Sequence, residues 1–266
     1  MCTAGGDITQ ADVDDAREVA LYWTGPMDDF FAARGALLPV ILAPGNHGSP
    51  ARHRAYAGGA AATYYVTATG PVRWIVLDSA ESEIAAQVTW LHRVCVDARG
   101  GNSGRTTTVR GVQEGSARNL GGSAGSGGVV SPTASIRTAW RWTIAVVHVP
   151  PFTEFWDPSS WDSSDTLLPV LRRECDVDVV VSGHSHTYQR GRCPAAPGDA
   201  RQKRCILATI GGGGGTLENS RVADTGLFSV TRHVHHTVHL RAAATALTWE
   251  AVDSKGAVFD KFELSR

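Results

Sequence analysis

The chain has 266 residues, 42% hydrophobic and 19% charged, a length that can bury the core of a single domain. A formal net charge of -1 and a pI of about 6.8 supply no basic field to steer nucleic acid. No apolar run approaches the ~20 residues that a membrane-spanning helix needs.

The first part of the chain reads as alternating helices and strands. Asp12 to Trp23 has helical spacing with acidic residues in its first turn, and Thr24-Gly25-Pro26 punctuates it before a second helix through Phe30 and Phe31. Leu37 to Ala43 is an apolar strand that runs into Gly45-Asn46-His47. Tyr64 to Ala68 and Val72 to Asp78 form a hairpin around Gly70-Pro71, followed by an amphipathic helix from Glu83 to Val96. The pattern then stops. Gly100 to Gly128 holds ten glycines and almost no apolar periodicity, so it is expected to be a disordered insertion, spanning about 100–136, within one domain covering 1–266. Its Gly121-Gly122-Ser123-Ala124-Gly125 has the form of a nucleophile elbow, but no strand enters it and no helix leaves it.

Order resumes at Thr138. The strand Trp142 to Val147 delivers His148 and is ended by Pro150-Pro151. In the loop Phe152 to Ser164, the aromatics Phe152, Trp156 and Trp161 either wall a substrate or seal the loop onto the core. A helix from Asp165 to Arg173, capped by Ser163 or Ser164, precedes the strand Val177 to Val181, which delivers Gly183-His184-Ser185-His186. Cys193 and Cys205 flank a proline- and arginine-rich excursion, either bridged across it or as unrelated thiols. Cys2, Cys95 and Cys175 read as strand-end or helix-packing residues, and five cysteines leave at least one free thiol. Gly211 to Gly215, after the strand Cys205 to Ile210, lacks the helix and the Gly-Lys-Ser/Thr of a phosphate cradle, so it marks a close backbone approach near the site. His233, His235, His236 and His239 are expected as solvated histidines on a strand rather than as a metal cluster. Arg232 to Leu240, Ala246 to Val252 and Val258 to Leu264 complete an antiparallel meander, with a turn at Asp253 to Gly256.

The chemistry concentrates where hydrophobic runs stop, at Asp7, Asn46, His148, His184 and His186. These are the positions at which an α/β sheet presents side chains to a crevice. Imidazole, carboxylate and amide oxygen suit Fe, Mn, Zn or Ni and need no thiolate. A carboxylate can bridge two ions, which makes Asp7 the shared ligand. Asn46, His148 and His184 then complete one position, and His186 turns toward the other. His184 and His186 would share a face on a regular strand, but a turn past the strand end can splay them.

The ordered set Gly6-Asp7, Gly45-Asn46-His47, His148 and Gly183-His184-Ser185-His186 resembles the calcineurin-like metallophosphoesterases. The continuation Thr187-Tyr188-Gln189-Arg190 is similar to the purple acid phosphatase branch, in which Tyr-x-Arg follows the last histidine. The resemblance implies an α/β fold, a two-sheet β-sandwich flanked by helices in four αββα layers. It implies two divalent or trivalent metal ions, with substrate contacts from Asn46, Tyr188 and Arg190. It also implies a small phosphate ester as substrate, hydrolysed by a metal-bridging hydroxide, with His47 protonating the leaving group or stabilising the charge of the transition state. A monoesterase is favoured over a diesterase, and a secreted or vacuolar location rests on the resemblance alone.

Three departures qualify this. The opening Asp-x-His of the pattern has no room before Asp7, so the first strand and one non-bridging carboxylate are expected to be missing. Gln10 stands where the purple enzymes place a tyrosinate, so no purple chromophore is expected. Gly48 replaces the usual Asp or Glu after Gly-Asn-His, removing carboxylate support for His47. An inactive fragment, a non-catalytic metal-binding or interaction protein, or a phosphodiesterase of the same superfamily is the alternative.

Overall fold

The computed structural model describes residues 2–4, 17, 24–35, 40–49, 51, 53, 54, 62–99, 140–155, 163–194, 205–213, 215–217 and 221–266. The first expected helix, apart from Arg17, lies outside them, as do the Gly-rich segment, Trp156 and Trp161.

Strand β1 (Cys2–Ala4) pairs in parallel with β2 (Val40–Leu42), and helix α1 (Gly25–Arg34) lies between them in sequence. Pro26 occupies the first turn of α1, and Gly35, with φ of 66°, ends it in the left-handed conformation while its N–H bonds Phe31 O. β1 lies within Met1 to Gly5, just ahead of Asp7. Cys-Thr-Ala is too short and too weakly apolar to announce itself, but register against Val40 to Leu42 gives its backbone groups partners.

The main sheet begins with the hairpin β3 (Tyr65–Thr69) and β4 (Val72–Val76), turned at Gly70 with φ of 52°. Helix α2 (Glu81–Arg99) leads toward β5 (Trp142–Val147). One π-helical turn at Ser163–Leu167 continues into α3 (Leu168–Arg173), so the helix begins earlier than expected and carries no side-chain cap. Strands β6 (Val179–Ser182), β7 (Tyr188–Arg192), β8 (Ile206–Ile210) and β9 (Phe228–Arg232) complete seven strands in the order β3-β4-β5-β6-β8-β7-β9. The central β4, β5, β6 and β8 are mutually parallel, and the outer pairings are antiparallel. A separate antiparallel meander contains β10 (His236–Ala242), β11 (Ala246–Asp253) and β12 (Val258–Ser265).

Two cores follow from the period-2 alternation of the central strands, which are apolar on both faces as buried parallel strands must be. Ile75, Ala145, Val147, Val180 and Leu207 face α2, α3 and the π-helical turn, against Leu91, Leu167 and Leu171. Trp74, Trp142, Ile144, Val146, Val181 and Tyr188 face the meander, where Leu247, Trp249 and Ala251 alternate inward from β11. Ile41 and Ala43 join this second core, so β2 and the segment after it close the same side of the sandwich. The Tyr65 hydroxyl accepts from Leu42 N–H and donates to Leu42 O, both at 3.1 Å, and so fastens β2 to the edge of the main sheet. The result is the expected α/β sandwich of two packed sheets, with α2 and α3 on one face.

Two disulfides use four of the five cysteines. Cys193–Cys205 is the pairing that the sequence left open. Cys95–Cys175 joins α2 to the segment after α3 across 80 positions, and corrects the reading of these residues as packing thiols.

Candidate metal centre

Strands β5 and β6 run in parallel with Val147 opposite Ser182, and Gly183 N–H extends the ladder by bonding His148 O at 2.9 Å. His148 and His184 therefore emerge side by side from the carboxyl ends of adjacent strands. Their rings meet edge to face with centroids 5.2 Å apart. β2 ends in the same region and its continuation brings Asn46, whose Oδ1 lies 2.9 Å from His148 Nε2 and 2.9 Å from His184 Nδ1. Three residues separated by as many as 138 positions thus converge on one point. His148 is buried and Asn46 exposed, so the group opens toward solvent at one side.

Two imidazole nitrogens and an amide oxygen form a donor set suited to a borderline divalent or trivalent ion. Spacings of 2.9 Å match the separation of about 3 Å that neighbouring ligands keep around one ion at bond lengths of ~2.1 Å. The residues present fit the implied metal. Asp7, expected to bridge two ions, lies outside the described residues, as does Gln10. Among the described residues no three His, Cys, Asp or Glu side chains gather as a metal site of their own.

His184 has φ of 60°, the left-handed region that a non-glycine residue enters at a cost of about 1 to 3 kcal/mol. This backbone turn breaks the strand face that His184 and His186 would otherwise share. His184 is directed to Asn46, whereas His186 Nδ1 bonds Thr216 O at 2.7 Å. Gly211 makes the expected close approach, since a Cβ there would stand 1.9 Å from Ser185 O. His47 is half-buried beside Asn46, and Gly48, at φ of 88°, turns the chain behind it.

Tyr188 and Arg190 sit elsewhere. Tyr188 is buried between the two sheets, where its hydroxyl donates to Asp260 and accepts from Trp249 Nε1–H at 3.0 Å. Arg190 lies on β7 and grips Asp260 with two charge-assisted bonds, from Nε at 2.5 Å and Nη2 at 2.8 Å. Burial and the adjacent Asp260 carboxylate raise the Tyr188 phenol far above its ordinary range. Burial opposes ionisation of Asp260, yet hydrogen bonds from Arg190 and Tyr188 hold its carboxyl below the usual value. These contacts tie the strand that follows the histidine motif to the meander.

A buried polar network went unnoticed in the sequence. Thr153 Oγ1 donates to Gln189 Oε1 at 2.8 Å and shares a bond with Ser185 Oγ at 2.9 Å. Glu154, fully buried, accepts from Arg221 Nη2 at 2.7 Å and from Thr225 N–H and Oγ1–H. The loop after His148, the turn between the two histidines and residues 221–225 are thereby held together. The only signal for this was a cluster of small polar residues beside the motifs. Phe152 packs toward the helix-side core instead of standing free.

His236 departs from its expected solvation. It is buried at the start of β10, edge to face with Tyr188 and Phe259, and its Nδ1–H donates to Val234 O at 2.9 Å. The strand that sequence alternation drew through residues 232–240 is broken at 233–235, which turns His236 to the inner face.

The sequence profile of the calcineurin-like phosphoesterases matches residues 3–188, and the chain belongs to that family. No curated protein sequence matches it. Among solved structures it is similar to the purple acid phosphatase PPD1 of yellow lupin (Lupinus luteus) seeds, with 17% identity and a TM-score of 0.62. That match covers 99% of this chain and 46% of the lupin chain, so the chain spans about half the length of that relative. It is also similar to GAP50, described as the anchor in the inner membrane complex of Plasmodium, with 11% identity and a TM-score of 0.60 over 99% of this chain and 77% of the other. At these identities the two structures establish the fold.

Proposed function

We propose that the chain is a metal-dependent phosphoesterase acting on small phosphate monoesters, with a centre formed by Asp7, Asn46, His148, His184 and His186. The observation that supports this reading best is the placement of Asn46 Oδ1 at 2.9 Å from both His148 Nε2 and His184 Nδ1, in a chain of the phosphoesterase family. When bound, two ions supply charge stabilisation for the phosphoryl oxygens and a hydroxide nucleophile at neutral pH, so no serine or cysteine nucleophile is required.

The protein's own part is positional and acid–base. Asn46, His148 and His184 would hold one ion at the mouth of the parallel strands, and Asp7 and His186 would serve the second. His47, adjacent to Asn46 and partly open to solvent, protonates the departing alkoxide. Tyr188 and Arg190 are engaged with Asp260 and join the sheets, so the substrate role implied for them by the motif would require those bonds to open. Substrate orientation is left to Asn46 and the groups around it.

A non-catalytic metal-binding or anchoring protein is the second reading. It draws on a neighbour of the same fold described as an anchor. Metal analysis combined with hydrolysis of aryl phosphate monoesters and diesters separates the two. Two ions per chain with preferential monoester turnover is the expected result; one tightly held ion without turnover sinks the enzymatic reading.

A further inference from the structure

His186 is held from one side by a short glycine loop. Its Nδ1 lies 2.7 Å from Thr216 O, and a carbonyl oxygen can only accept, so in the neutral ring Nδ1 carries the proton and Nε2 keeps its lone pair. Gly215, at φ of 67°, passes so close to the ring that a Cβ would stand 2.6 Å from its Cε1 and 2.9 Å from its Nδ1. The glycine is therefore needed twice over, for its backbone angle and for the space its missing side chain leaves to the imidazole.

We propose that Gly215 and the Thr216 carbonyl are positioning groups that lock His186 as its Nδ1–H tautomer and present Nε2 to an ion. This rests on the reading of His186 as a ligand of the second position. A ligating histidine needs its second nitrogen anchored, because the anchor selects the tautomer and the ring orientation. Here the anchor comes from a segment 30 residues downstream, brought to the site by the return of the chain along β8. The locked tautomer is opposite to the one that a free histidine favours in water, which gives it a distinct signature.

The structure contains its own control. Gly226 has the same φ of 67° as Gly215, but a Cβ added there would meet nothing within 4 Å, so alanine carries the backbone strain without the contact.

The test uses the full chain labelled with nitrogen-15 histidine, free of metal, at a pH above the ordinary imidazole range. His186 resonances are assigned by their loss in His186→Ala. Wild-type protein is expected to show a pyrrole-type Nδ1 and a pyridine-type Nε2, a pattern kept in Gly226→Ala and lost in Gly215→Ala. An Nε2-protonated or mixed ring in the wild type overturns the proposal. In metal titrations, Gly215→Ala should weaken one ion by about 10- to 100-fold, as loss of an outer-shell partner does. It should have no further effect in a His186→Ala background. An equal loss in both backgrounds would place its action on the fold and overturn the proposal. Binding of a single ion by the wild type would instead remove the two-ion reading, and the tautomer, measured without metal, decides the positioning by itself. The same wild-type measurement decides it should Gly215→Ala not fold.

Discussion

Asn46 and His148, 102 residues apart in the chain, meet with Oδ1 and Nε2 at 2.9 Å. The amide cannot satisfy this arrangement locally, because it sits on the loop after β2 while the imidazole ends the central β5. Substituting His148 with Ala should abolish binding of the ion shared with Asn46 and His184. Replacing His47 with Ala should leave metal content intact and lower kcat by about 10²- to 10⁴-fold, the range of a positioned proton donor. Metal analysis beside steady-state kinetics checks both, and loss of metal from the His47 variant would make it a ligand.

Tyr188→Phe tests the bridge between the sheets. It removes the hydroxyl that donates to Asp260 and accepts from Trp249, leaving a buried indole N–H without its acceptor. We expect a loss of about 1 to 3 kcal/mol in denaturant unfolding with KM unchanged. A large rise in KM at unchanged stability would return Tyr188 to the substrate site.

His236 should make the fold sensitive to mild acid. Desolvation by burial, helped by neighbouring His235, lowers its pKa below the ordinary 6.5, so the unfolded chain binds a proton at a pH where the folded chain does not. Stability therefore falls as pH drops below 6.5 and continues to fall until the depressed folded value is passed. Thermal melts of wild type and His236→Asn across this range should converge at low pH; parallel curves would exclude the effect.

The two disulfides define a thiol count. With five cysteines and two bridges, the unfolded, unreduced chain should titrate one thiol. Opening Cys95–Cys175, whose partners are 80 positions apart, should cost about 4 to 5 kcal/mol, and Cys193–Cys205, with 12, about 3, on chain-entropy grounds. Three or more reactive thiols would contradict the pairing.

Much of the fold was legible because its central strands are buried on both faces. Continuous runs such as Trp142 to Val147 and Val177 to Val181 announce themselves wherever they are placed, and turn residues mark where they stop. His148 and His184 followed from those boundaries. β1 was not legible, since three residues paired with a distant strand leave no periodic trace. The break at 233–235 was hidden by an alternation that continues through it.

The four motifs and their order, the strands that deliver Asn46, His148 and His184, and the family to which the chain belongs were all determined by local sequence. Pattern and turn chemistry act over a few residues, and they survive reading in one dimension. Only the tertiary structure decided what each side chain faces. Asp260, 70 residues beyond Arg190, claims that arginine and Tyr188 for the sheet interface, and Thr216 orients His186 from across the site. Those choices depend on register and close approach between segments far apart in the chain, which spacing along it does not encode.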